Sequence, residues 1–164
     1  MRDRRRGLLV CGAFLLCVAF LTGCSIRLRF YPVKGPIASA TPNQVYMGRI
    51  SASTTFNPKS GGFSAVLSDG EAFKGSWAMV GPNGKGGTAS TPATNSLSDA
   101  WDTVFGEGFY VSHVLGQREY GRSVSTGSNG TVLQVEIYNP GTGPAETKAV
   151  AQDSKGNIYK VIPY

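Results

Sequence analysis

The stretch Phe63–Val80, FSAVLSDGEAFKGSWAMV, decides the fold. At its centre Ser68-Asp69-Gly70-Glu71 sets an Asp-Gly pair between two alternating segments, and Asp-Gly supplies the positive φ angles that a tight two-residue hairpin demands. Before the pair, Phe63, Ala65 and Leu67 alternate with Ser64, Val66 and Ser68; after it, Phe73, Gly75, Trp77 and Met79 share one parity. A repeat of two is strand periodicity. The stretch therefore reads as two antiparallel strands with one apolar face, in which Gly75 marks a close approach of another backbone or ring and Trp77 is a core residue rather than a ligand platform.

The same period recurs outward in both directions. In Ser25–Val33, Ile26, Leu28 and Phe30 oppose Arg27, Arg29 and Tyr31. As a strand this segment puts residue 24 almost on the surface of the domain; as a linker it would rest the two arginines among anionic headgroups, and the strand is favoured. Gln44–Phe56 carries Tyr46, Gly48 and Ile50 on one parity, Thr131–Tyr138 carries Leu133, Val135 and Ile137, and Asp153–Asn157 is a second turn leading to a last strand, Ile158–Ile162. Lys34–Asn43, broken by Pro36 and Pro42, reads as a loop, as does Gly81–Ser96, which has no long apolar side chain. The Ser/Thr/Gly-rich run through Gly130 reads as a turn.

One helix is expected, Ser96–Gly108, with Ser96 or Ser98 as N-cap and Asp99 in the first turn. Leu97, Ala100, Trp101, Val104 and Phe105 lie at helical spacing, and Gly106 and Gly108 stop it. Phe109–Leu115 returns to extended character. With 22 glycines and nine prolines, the whole reads as all-β: a small antiparallel sandwich or barrel of seven to nine short strands with one short helix.

Ahead of this domain, Arg2, Arg4, Arg5 and Arg6 introduce an apolar run, Leu8–Leu21, followed by Thr22, Gly23 and Cys24. This is the order of a secretory signal peptide, and the run is shorter than the roughly 20 residues a spanning helix needs. Leu21-Thr22-Gly23-Cys24 resembles the lipobox of bacterial lipoproteins. That resemblance, confined to the N-terminal segment, implies a lipid on the Cys24 thiol, cleavage between Gly23 and Cys24, a signal peptide over 1–23 and a single β-rich extracytoplasmic domain over 24–164. It further implies a membrane partner reached through acyl chains such as palmitate. Ser25 stands where aspartate would resemble an inner-membrane retention signal, which leans toward the outer membrane of a Gram-negative host, with the domain facing the periplasm or exterior.

Removing 1–23 changes the rest of the reading. Cys11 and Cys17 go with it, so the mature chain has no disulfide, and half of the net charge of +6 goes as well. What remains is too mild a positive charge to argue for nucleic acid. No cofactor or metal is expected: His113 is the sole histidine, and a zinc site needs three or four ligands. Gly81–Thr88 follows a strand but lacks the spacing of a phosphate loop. Asp69–Trp77 resembles one unit of a MORN-type repeat, yet a solenoid requires several.

Two functional readings stay open. Trp101, Tyr110, His113, Arg118, Tyr120 and Arg122 gather aromatic and basic groups that could line a shallow groove, as befits a binding or structural module acting on an envelope protein, peptidoglycan or polysaccharide. The alternative is a small envelope hydrolase using His113, which has carboxylates upstream but no serine in a Gly-x-Ser-x-Gly turn. The non-enzymatic reading is preferred.

Overall fold

The structure, a computed structural model, describes residues 25–52, 59–80, 97–115, 120–140 and 146–164. The segment 1–24, the expected loop 81–96 and Arg118 lie outside the described residues. Eight strands run in chain order around a closed antiparallel barrel: β1 Ser25–Lys34, β2 Tyr46–Ser51, β3 Ser60–Val66, β4 Ala72–Val80, β5 Tyr120–Gly127, β6 Val132–Tyr138, β7 Lys148–Asp153 and β8 Ile158–Pro163. Pairing of β1 with β8, Phe30 opposite Val161, closes the ring. Of sandwich and barrel, the barrel is what forms.

Residues paired across antiparallel strands point to the same face. One row around the wall is Ile50, Phe63, Gly75, Ser125, Leu133 and Asp153. Another brings Phe30, Tyr46, Val161 and Ala149 inward. The enclosed core holds Leu28, Phe30, Phe63, Phe73, Leu133 and Tyr159, all buried, and Tyr159 takes edge-on contacts from Phe30 and Tyr46 at 6.2 and 6.5 Å. Arg27, Arg49, Lys74 and Lys160 are exposed on the outer wall. Apolar inside and charged outside is the inverse of a transmembrane barrel. Among the described residues no helix is long and apolar enough to cross a membrane.

Asp69 and Gly70 both take positive φ, 62° and 75°, as the hairpin requires. Three segments depart from the sequence expectation. Lys34–Asn43 contains a short helix, α1 (Pro36–Ala40), whose fixed proline φ starts it at the first position. The Ser/Thr/Gly-rich run becomes β5. Its inward positions are Gly121, Ser123, Ser125 and Gly127, small because Met79, Trp77 and Phe73 of β4 face them and take the room. Phe109–Leu115 is not extended but holds a π-helical turn, Tyr110–Val114, separated from α2 (Ser98–Phe105) by the break at Gly106–Gly108.

The two ends of the barrel differ. At one, α1 and three tight turns close the interior over a polar plug. The buried Glu71 carboxylate accepts from the Thr131 hydroxyl at 2.7 Å, the Thr131 and Asn129 amides at 3.1 and 3.0 Å, and Lys155 Nζ at 3.2 Å. Asp153 accepts from Tyr159 Oη at 3.0 Å and Asn157 Nδ2 at 2.8 Å, while Asn157 Oδ1 accepts from the Ile37 amide at 2.9 Å and so ties α1 to the last turn. Gly127 leaves room for this arrangement, because a Cβ there would collide with the Glu71 carboxylate. Burial, reinforced by the charge of the neighbouring Asp153 carboxylate and the hydrogen bond to it, pushes the Tyr159 phenol far up.

Burial alone would raise the Glu71 pKa, but the bonds from Thr131, Lys155 and Asn129 outweigh it and hold the group below its ordinary value of 4.5. A depressed carboxylate contributes stability that is present above its unfolded pKa and lost as pH falls through the folded one. The urea midpoint should therefore fall as pH drops below about 4.5, and Glu71→Gln should flatten that part of the profile. Glu71→Ala, which leaves the Thr131 and Asn129 donors without an acceptor, should cost about 2–3 kcal/mol at neutral pH.

Candidate functional site

Of the residues singled out from the sequence, Trp101, Tyr110, His113, Tyr120 and Arg122 are distributed over a joint between α2 and the barrel wall. Trp101 is fully buried. Its indole N–H donates to Glu136 Oε2 at 2.8 Å, and Glu136, on the outer face of β6, is 1% exposed. Arg122 on β5 donates to Glu136 Oε1 through NH2 at 2.6 Å and Nε at 3.1 Å, and to Tyr120 Oη at 3.1 Å. Burial lowers the Arg122 pKa and the Glu136 bonds raise it by more, so the guanidinium stays charged. Burial likewise raises the Tyr120 phenol, against the pull of Arg122.

These contacts dock a helix. Leu97, Ala100, Trp101, Val114, Tyr138, Val150 and Ile158 form a second apolar cluster outside the barrel. Trp101, Phe105, Phe109 and His113, spaced by four, stack in succession with centroids 5.5, 4.9 and 4.4 Å apart. His113 ends that ladder, exposed, with Nδ1 3.3 Å from the Phe109 carbonyl oxygen. Among the described residues no serine or carboxylate is hydrogen-bonded to it. Tyr110 is half-buried, its amide donating to Asp102 Oδ1 at 2.9 Å. Trp101 and Arg122 thus spend their polar groups inside the protein.

A cavity of about 440 Å³ opens at the other end of the barrel. Its wall is made by the last inward positions of the strands there: Ile26, Ile50, Met79, Ile137 and Pro163, with Trp77 below Met79. Trp77 Nε1 donates to the Ser51 carbonyl oxygen at 2.8 Å, which fixes the indole against the wall. Gly121 faces Met79 and Ile137 without a side chain. Polar groups sit at the outermost positions, where Asn139 Nδ2 donates to Thr147 Oγ1 at 3.0 Å and Tyr164 lies beneath the Arg29 guanidinium, 4.0 Å from it. Among the described residues no carboxylate, imidazole or amine lines this space, and no cluster of three His, Cys, Asp or Glu side chains could hold a metal. The volume falls within the roughly 300–1,000 Å³ of ligand clefts, and an apolar wall with a few polar groups is their usual make-up.

Sequence reasoning did not find this cavity. Its signal was present: five strands keep an apolar inward residue at their very ends, where solvent would ordinarily select polar ones.

Comparison with family models, with curated proteins and with solved structures finds no match to this chain. The fold is an up-and-down eight-stranded β-barrel with one end plugged and, among the described residues, a cavity at the other.

Glu136→Ala removes the shared acceptor of Trp101, Arg122 and the Leu97 amide. It should destabilise the protein by about 3 kcal/mol and speed amide exchange in Ser98–Phe105 more than in β2–β3. Uniform acceleration across both would contradict the docking role.

Proposed function

We propose that the protein is a lipid-anchored lipoprotein of the bacterial cell envelope that serves as a binding module, its barrel mouth held toward the membrane that carries the lipid. One observation carries this reading: Ser25 opens β1 and also borders the cavity. A lipid on residue 24 would sit one residue from the mouth, a few ångströms along the chain. The tether has almost no slack.

The outer wall near that end supports the same orientation. Arg27 of β1 lies directly opposite Arg49 of β2, and like charges so placed are destabilising. Arg27, Arg29 and Arg49 form no ion pair among the described residues. An anionic membrane surface would relieve that repulsion, each arginine contributing about 1 kcal/mol near it. The absence of aspartate after Cys24 favours the outer membrane in a Gram-negative host. An apolar cavity suits an apolar ligand better than a polysaccharide, and among the described residues no serine or carboxylate is hydrogen-bonded to His113 to support the hydrolase alternative.

Metabolic labelling with an alkyne fatty acid should mark the wild-type chain and place it in the membrane fraction after a carbonate wash. Cys24→Ala should lose the label. A label retained by the variant would sink the anchoring assignment.

A further inference from the structure

We infer that the mouth cavity is a binding site for a long fatty-acyl chain bearing an anionic head, with the chain against Ile26, Ile50, Trp77, Met79 and Ile137 and the head toward Arg27, Arg29 and Arg49. The inference deepens the anchored-module reading and rests on it for the source of the ligand.

Four observations meet here. The cavity wall is apolar down to Trp77, and Ala149 and Val161 of the barrel core continue the row that starts at Ile137. Its volume of about 440 Å³ equals the liquid share of roughly fifteen waters, and a methylene takes about as much room as a water, so an unbranched chain of roughly that many carbons matches it in volume. Polarity is confined to the rim, at Asn139, Thr147 and Tyr164, which is the distribution an amphiphile requires. Finally, the basic side chains stand beside the rim rather than inside it: the Arg29 guanidinium rests on the Tyr164 ring that borders the cavity, while Arg27 and Arg49 face each other two residues in from Ser25 and Ser51. A carboxylate or phosphate at the opening would be held by guanidinium groups while its hydrocarbon stays dry.

Two sources supply an acyl chain: an anionic lipid of the facing leaflet, whose head would meet the arginines, or one of the acyl chains on Cys24 folded back into its own barrel, which brings the hydrocarbon without an anionic head. Full-length wild type and Cys24→Ala, extracted in a sugar-headed detergent, would be titrated with a fluorescent sixteen-carbon fatty acid and then with palmitate as competitor. Saturable, competed binding is expected in the Cys24→Ala chain. Equal binding by wild type assigns the site to an external lipid, and binding seen only after Cys24→Ala assigns it to the anchor; either outcome supports an acyl site.

Gly121→Leu, which projects a side chain between Met79 and Ile137, should weaken binding at least tenfold. Met79→Trp fills the same space from β4 and guards against misfolding of the first variant, with circular dichroism reporting the barrel. Arg27→Glu combined with Arg49→Glu should weaken palmitate but spare the uncharged methyl palmitate. No saturable binding in either parent chain, or binding unchanged in folded Gly121→Leu and Met79→Trp, overturns the site. The labelling of Cys24 is read separately: an unlabelled chain that still binds palmitate removes the anchor and leaves the site, and a labelled chain that binds nothing does the reverse.

Discussion

Hydrogen bonding between the first and last strands is the constraint on which this molecule depends. Once Leu28–Lys34 pairs with Ile158–Pro163, no strand edge is left exposed, and the interior becomes a closed space that side chains must fill. An eight-stranded barrel is just wide enough for them to fill it or to enclose one small ligand. This chain fills the plugged end and, among the described residues, leaves a cavity at the other. Near the plug, Phe73, Tyr159 and Leu133 belong to one buried cluster; at the mouth, among the described residues, the wall continues past the filling, where Gly121 gives no side chain and Ile26 and Ile137 remain partly uncovered.

The asymmetry also explains where polar groups are buried. Glu71, Asp153 and Asn157 could not lie inside a barrel without partners, because an unsatisfied buried carboxylate is far more costly than an apolar residue. They sit where tight turns bring backbone amides to them. Glu136 solves the same problem on the outer wall, with Trp101 and Arg122 as its donors. In both cases the acid fastens a non-strand element, a set of turns in one and α2 in the other, to the sheet.

How much of this could be read in the sequence follows from what each residue advertises. β1, β3, β6 and the first half of β4 alternate apolar and polar or small side chains, and the Asp69-Gly70 turn states its own geometry. β5 is silent, because its inward residues are small in answer to the bulk of Phe73 and Trp77, and complementarity to a neighbour leaves no mark on the segment itself. The π-helical turn escapes for a related reason: Phe109, Val111 and His113 alternate, yet Phe109 and His113 also continue the four-residue ladder begun at Trp101. The basic and aromatic residues around Trp101 were legible as a group, but their partner Glu136 lies 35 positions downstream of Trp101 on a strand face that period alone marks as solvated.

The ends of the described barrel meet at the mouth, where the Tyr164 amide donates to the Arg27 carbonyl oxygen at 3.0 Å. The molecule therefore has a front and a back for anyone who wishes to attach something to it. A reporter fused after Tyr164 would crowd the cavity and whatever surface Ser25 adjoins, whereas the exposed turn positions Ser128 and Ser154 lie on the far side and give no bond to the buried Glu71. A peptide tag or surface-immobilisation chemistry placed at those positions leaves the opening clear.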